Sequence, residues 1–344
     1  MSNTMETLSH LFAVKFKKQD ILPRKNAPHG DRVAIYGAPR SGKTSLLLSG
    51  AQNEPFLYVD LEDRRVSIEA LNRELPAFAK SNKIAFLAVD NYNERLILPT
   101  DLTRIWIAQH EKSSLTGFEP HRIAPFDFEE FLAVSKTPDP EIAFNEFLRG
   151  GALFEPHDEP HRTVALRRLL ERIAKRQPPV MEFMVLHSAD RLTPHQVYSA
   201  LKKRVKISKD TLYAFLREAL DREILFTAHK WDLAGAPAKF YAFDHALRDG
   251  VTFDKSLLKT FETMIALELL KHNETIYYDD GIDLFLPKSA TAVIAAPFIT
   301  KEAMIERTKR IAHKARRIEF VTMGFEAQYK IAEAAPFWDW ALRA

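Results

Sequence analysis

The segment between residues 32 and 51 constrains this fold more than any other. An apolar run, Arg32-Val-Ala-Ile-Tyr36, leads into Gly37-Ala-Pro-Arg-Ser-Gly42-Lys43-Thr44-Ser45 and then into Leu46-Leu-Leu-Ser-Gly-Ala51. Gly37, Gly42, Lys43 and Thr44 meet the spacing G-x-x-x-x-G-K-[ST]. Such a loop must aim successive backbone N–H groups at phosphate oxygens, and glycine lets the chain curl that tightly. Ala38, Pro39, Arg40 and Ser41 complete the cradle, and Ser45 opens the helix whose N-terminus adds partial positive charge. Lys43 is expected to reach the β- and γ-phosphates and the Thr44 hydroxyl to ligate Mg²⁺, so ATP and Mg²⁺ are the implied ligands.

A bound Mg²⁺ needs an acid at a neighbouring strand end. Asp90 closes the apolar run Ile84–Val89, and Asp60 closes Phe56–Val59 in the same form. Asp90 is favoured, because Asp60 ends the strand that directly follows the phosphate-loop helix. Lys43 and Asp90 are thus the expected catalytic pair, with Thr44 and Asp90 on the metal. Hydrolysis also calls for a group that orients or deprotonates water. The residue after Asp90 is Asn91, whose amide can position water but cannot take its proton. Glu94 is near in sequence, and Glu62 or Asp63 could substitute in space. Nucleotide binding with weak turnover is the expectation. Gln109, His110 and Ser113 are candidate sensors, and Arg40, Arg122 and Arg149 are candidate phosphate-side arginines.

Composition narrows the alternatives. The 344 residues include no Cys, which removes disulfide scaffolds, thiolate nucleophiles, zinc fingers and iron–sulfur sites. No run approaches the roughly 20 apolar residues of a membrane span, and the first 20 residues lack a signal-peptide pattern. The reading is a cytoplasmic α/β protein without membrane partners, in which an oligomer is open. Strands interleaved with helical segments give a parallel α/β sheet over the first part of the chain. Block boundaries fall near 155 and 250.

The middle block, 156–250, opens with helical segments. Thr193 caps a helix with Pro194 at its first position and Gln196 three residues after the cap. That helix is expected to run to Arg204, and Ser208 caps a second, Lys209–Glu223. Strands Ile224–Lys230 and Lys239–Phe243 follow. Two helices across a short turn and then a hairpin is the winged-helix pattern. Residues 188–231 carry nine Lys/Arg against five acids. Lys202, Lys203, Arg204, Lys206 and Lys209 sit at the inter-helix turn, where duplex DNA phosphates would be met. Contact with a protein partner is an equal reading of the same module.

The last block, 251–344, reads as α-β-β-β-α-β, the core order of restriction-endonuclease-like folds. Its elements are helix Thr260–Leu270, strands Thr275–Tyr278, Ile282–Leu286 and Thr291–Ala296, a basic helix Lys301–Arg317 and strand Ile318–Thr322. Asp283 could be one metal acid, but Val293-Ile-Ala-Ala-Pro297 offers neither a second acid nor a lysine, so no nuclease activity is expected. Residues 301–317 hold seven basic and two acidic side chains.

Together these blocks resemble prokaryotic AAA-type P-loop ATPases with a winged helix and a degenerate endonuclease-like C-terminal domain. Gly37–Thr44 resembles the Walker A motif and Ala88-Val-Asp90 the Walker B. Ile123-Ala-Pro-Phe-Asp-Phe-Glu-Glu-Phe-Leu132 is similar to the family's segment after the sensor strand, and Phe147-Leu-Arg-Gly-Gly151 to its glycine pair. Lys239-Phe-Tyr-Ala-Phe-Asp244 resembles the strand closing the wing, and Phe261-Glu262 the first C-terminal helix. The resemblance implies a P-loop parallel sheet over 1–155, a helical lid and winged helix over 156–250, and a small α/β domain over 251–344. It implies ATP binding, with a slow ATPase or ATP-gated switch that contacts DNA. The alternative is a nucleotide-independent DNA-binding or interaction module with a vestigial site. Asn91 for the family's Glu, Gly281 ahead of Asp283, and Ala295-Ala296 for a Glu-x-Lys are departures that weaken catalysis.

Overall fold

The computed structural model describes residues 3–13, 24–51, 54–112, 115–152, 159–174, 177–253, 256–272 and 274–343; Ser113 lies outside them. The chain divides into two compact units, Met1–Ala124 and Pro125–Ala344.

The first unit contains helices α1 (Asn3–Ala13), α2 (Lys43–Ser49) and α3 (Ile68–Ser81). Its strands are β1 (Arg32–Tyr36), β2 (Phe56–Asp60), β3 (Phe86–Asp90), β4 (Arg104–Gln109) and β5 (Glu119–Arg122), all parallel, in the order β2-β3-β4-β1-β5. Strands buried on both faces lose the polar alternation of a half-exposed strand. Phe86-Leu-Ala-Val-Asp90 is buried at every position. Alternate side chains feed two cores. Leu57, Val59, Leu87, Val89, Ile105 and Ile107 face Leu8, Leu71, Leu75 and Phe78. Val33, Ile35, Ala88, Trp106 and Ala108 pack with Leu46 and Leu47 of the phosphate-loop helix. β5 carries no sequence signal: Glu119-Pro-His-Arg122 is polar and exposed or half-buried, an edge strand held by its pairing with β1.

The second unit begins with α4 (Phe128–Val134), α5 (Pro140–Gly150), α6 (Glu159–Ala174) and α7 (Pro178–Leu186). It continues as β6 (Arg191–Leu192), α8 (Pro194–Leu201), α9 (Lys209–Asp221), β7 (Leu225–Lys230), β8 (Ala238–Ala242) and a 3₁₀ turn, His245–Gly250. It ends with α10 (Leu257–Lys271), β9 (Tyr277–Asp279), β10 (Ile282–Leu286), β11 (Thr291–Ala295), α11 (Lys301–Ile311), β12 (Arg317–Thr322), β13 (Ala327–Tyr329), β14 (Ala332–Pro336) and α12 (Phe337–Ala341). One nine-stranded sheet runs β13-β14-β12-β11-β10-β9-β7-β8-β6.

The expected boundaries near 155 and 250 do not coincide with these units, for two reasons. Residues 125–150 pack with the second unit, where Phe128, Phe144 and Phe147 cluster with Phe337, and Phe144 also meets Phe261. β7 and β9 then pair in parallel, His229 with Tyr277 and Lys230 with Tyr278, so the middle and last blocks share one sheet. Two segments that looked unrelated in sequence also lock together. Gly151 has φ +76°, and a Cβ there would lie 2.2 Å from Asp244 Oδ1. Asp244 is buried, and its Oδ2 accepts from the Ala152 N–H at 2.7 Å.

Helix α8 ends at Leu201, short of Arg204, and α11 ends at Ile311, short of Arg317. Arg317 instead opens β12, and the Lys314 ammonium turns back to Asp279 at 2.8 Å.

Candidate functional site

The phosphate loop follows β1 directly. Gly37 has φ +149°, and a Cβ there would stand 2.0 Å from the Ile123 carbonyl oxygen. No larger residue fits this closeness of loop and β5 exit. Gly42, at φ +93°, is the left-handed N-cap of α2, and Arg40 is also left-handed at φ +59°. The Lys43 ammonium donates to the Gly37 and Ala38 carbonyls, both at 2.8 Å, and so lies folded over the loop. Ser41 is buried, and its Oγ has no hydrogen-bond partner among the described residues. Beneath the loop, the Arg24 guanidinium donates to Ser41 O at 2.6 Å and to Ala124 O at 2.8 Å, tying the loop to the chain after β5. No motif in the sequence singles out Arg24. A lone arginine in a proline-rich stretch carries no spacing signal.

The two metal candidates, Thr44 and Asp90, lie together. Thr44 Oγ1, at the start of α2, donates to Asp90 Oδ2 at 2.5 Å. Asp90 is 5% exposed at the end of β3. Its Oδ2 also accepts from the Tyr58 hydroxyl at 3.1 Å, and its Oδ1 from the Asn91 N–H at 2.9 Å. Burial, with Asp90 and Asp60 nearby, pushes the Tyr58 phenol far up, so it stays a donor. Two hard oxygens from protein suit Mg²⁺, which keeps several waters and takes the rest of its shell from phosphates. No cluster of three or more His, Asp or Glu among the described residues forms an all-protein cage. Thr44 and Asp90 would hold the ion, which supplies neutralisation of phosphate charge when bound.

Asp60 stands beside this pair. β2 and β3 are in register, with Asp60 opposite Asp90. Asn91 has φ +52°, a left-handed conformation that asparagine tolerates better than most residues. From there its side-chain amide donates to Asp60 Oδ1 at 2.8 Å. The other sequence candidates are arranged differently. Gln109 is buried at the end of β4. His110 Nε2 lies 3.7 Å from Glu62 Oε1, both largely exposed. Asp63 is gripped by the Arg65 guanidinium at 2.6 Å, whose hydrogen bonds hold its carboxyl down to about 2. Glu94 is exposed in the turn after β3. Arg122 ends β5, whereas Arg149 lies on α5 in the second unit.

In the second unit the basic segments differ. Among the described residues, Lys202, Lys203, Arg204, Lys206 and Lys209 pair with no carboxylate; Lys202 and Lys209 lie 5.8 and 5.7 Å from the Tyr198 ring centre. The run 301–317 is largely neutralised by contrast. Arg307 pairs with Asp283, Arg310 with Glu306, Lys314 with Asp279, and Arg317 with Glu319 and Glu333. Asp283 Oδ2 also accepts from the Ala295 N–H at 3.1 Å. No helix among the described residues is long and apolar enough to cross a membrane.

No family model and no curated protein matches the chain. Among solved structures it is similar to the Walker-type ATPase PABY2304 of Pyrococcus abyssi, at 15% identity over 70% of this chain and 99% of that one, with a TM-score of 0.43. It is also similar to PH0952 of Pyrococcus horikoshii, a signal transduction ATPase with numerous domains and a tetratricopeptide repeat sensor. There the identity is 13% over 72% of this chain and 46% of that one, with a TM-score of 0.26. The strand–loop–helix geometry and the Thr44–Asp90 contact by themselves define the first unit as a P-loop α/β core.

Proposed function

We propose that the chain binds ATP with Mg²⁺ at Gly37–Ser45, with Thr44 and Asp90 on the metal, and turns it over slowly as an AAA-type ATPase or ATP-gated switch. The Thr44–Asp90 hydrogen bond carries this reading. Two residues 46 positions apart place their oxygens together beside a loop built for phosphate. Asn91 in place of an acid supports slow turnover. The test is binding of a fluorescent ATP analogue and release of phosphate, each compared with Lys43→Ala. Wild type should bind, and Lys43→Ala should bind at least about tenfold more weakly. Unaltered binding by Lys43→Ala rejects the phosphate-loop assignment.

The elements β6–α8–α9–β7–β8 support a winged-helix module that meets duplex DNA through Lys202, Lys203, Arg204, Lys206 and Lys209. Their lack of carboxylate partners among the described residues also favours the second reading, a nucleotide-independent DNA-binding or interaction module with a vestigial site. Duplex affinity measured across salt, with and without ATP, separates the two. A steep slope unaffected by ATP supports the second, and a flat slope removes DNA from both. The α10–β12 segment supports a degenerate endonuclease-like domain. Because Asp283 is engaged by Arg307 and the Ala295 amide, plasmid incubated with the protein and Mg²⁺ should stay intact.

A further inference from the structure

We infer that Asp60 is the carboxylate that orients and deprotonates the attacking water, filling the role left open by Asn91. This rests on the proposal that Gly37–Ser45 binds ATP. Parallel strands in register bring Asp60 and Asp90 to the same carboxyl edge of the sheet, where α/β proteins hold their ligands.

One asparagine then ties the two carboxylates together. The Asn91 backbone N–H donates to Asp90 Oδ1 at 2.9 Å, and its side-chain amide donates to Asp60 Oδ1 at 2.8 Å. Their remaining oxygens are used differently. Asp90 Oδ2 accepts from both Thr44 and Tyr58, as befits a group that holds the metal. Asp60 Oδ1 takes the Asn91 amide and the Glu62 N–H at 2.9 Å, while its Oδ2 has no hydrogen-bond partner among the described residues. An oriented, half-buried carboxylate with one open oxygen is what a water-activating group requires. The neighbouring acids are worse placed. Asp63 is committed to Arg65, and the Glu62 side chain is 70% exposed.

In the step so assigned, the water oxygen bonds to the γ-phosphorus. The bond from that phosphorus to the β–γ bridging oxygen breaks, its electron pair staying on ADP. The proton of the water passes to Asp60 Oδ2 and then to solvent, leaving ADP and inorganic phosphate. Asn91 acts as a positioning residue through its amide.

Asp60→Asn tests this on the full chain. It should bind the fluorescent ATP analogue within about twofold of wild type, and release phosphate about 10²-fold more slowly or worse. Radiolabelled ATP bound to Asp60→Asn should be recovered intact, where wild type yields ADP. Asp60→Ala should regain part of its rate with added formate, a rescue that a merely structural role would not show. Asp60→Ser, measured the same way, stands in if Asp60→Asn does not fold. Phosphate release by Asp60→Asn within about threefold of wild type overturns the inference, as does a wild type that binds ATP and leaves it intact. Failure of wild type to bind the analogue overturns the underlying site reading instead.

Discussion

Lys239, buried, and Glu262, half-buried, form an ion pair whose removal has a calculable consequence. Lys239, on β8, is 4% exposed, and its ammonium donates to Glu262 Oε1 at 2.6 Å and to the Asp283 carbonyl at 3.2 Å. The Tyr241 hydroxyl donates to the same Glu262 oxygen at 2.8 Å. Burial raises the Glu262 pKa above its ordinary value, Lys239 opposes that rise, and Asp283 adds to it. Lys239→Met keeps the stem and removes the charge. It leaves a half-buried carboxylate with Tyr241 alone, at a cost of up to about 3–5 kcal/mol, a large share of the roughly 5–15 kcal/mol that typically holds a domain together. A carboxyl whose folded pKa lies above its unfolded one favours folding while protonated. That contribution is full below the unfolded pKa and is lost as pH rises through the folded pKa, at up to about 1.4 kcal/mol per pH unit. Without Lys239 the folded pKa moves higher still, so the deficit of the variant against wild type should widen from about pH 5 to about pH 8. Urea unfolding followed by tryptophan fluorescence across that range reads it. Adding Glu262→Gln to Lys239→Met should recover most of the loss at the higher pH. A deficit under about 1 kcal/mol at pH 8, or one that grows on acidification, would refute the reasoning.

Three further outcomes follow from named contacts. Thr44→Val should weaken ATP-analogue binding in Mg²⁺ by about tenfold or more and leave binding in EDTA nearly unchanged, because it removes the hydroxyl at Asp90. Gly151→Ala should lower stability by about 1–3 kcal/mol or more, since the new Cβ meets Asp244 Oδ1 at a left-handed position. Gly150→Ala, which meets nothing within 4 Å, should be neutral or stabilise by up to about 1 kcal/mol; thermal melts of the pair compare them. Lys206→Ala should lower the log–log salt slope of duplex binding by about 0.9 and weaken all sequences alike.

Much of the first unit is legible in sequence because its signals are local. Gly37, Gly42, Lys43 and Thr44 act over eight consecutive positions between an apolar strand and a leucine-rich helix. Helix starts at Thr193 and Ser208 are likewise set by side chains capping amides three residues on. β5 is not legible, because a polar edge strand owes its conformation to pairing with β1 rather than to its own residues. The net +5 of residues 301–317 is plain in the sequence, but the ion pairs that four of its seven basic side chains close are not.

By itself, then, the amino-acid order determined the strand–loop–helix around Gly37–Thr44 and favoured Asp90 over Asp60 as the acid beside it. Tertiary structure decided which acid stands next to that pair. Asp60 and Asn91 are separated by 30 residues and a helix, and only the parallel register of β2 against β3 brings their side chains within a hydrogen bond. It also decided that β7 pairs with β9 and so joins the middle and last blocks in one sheet. Pairings across such distances depend on loop closure and on burial of both faces, and neither leaves a local trace in the residues that pair.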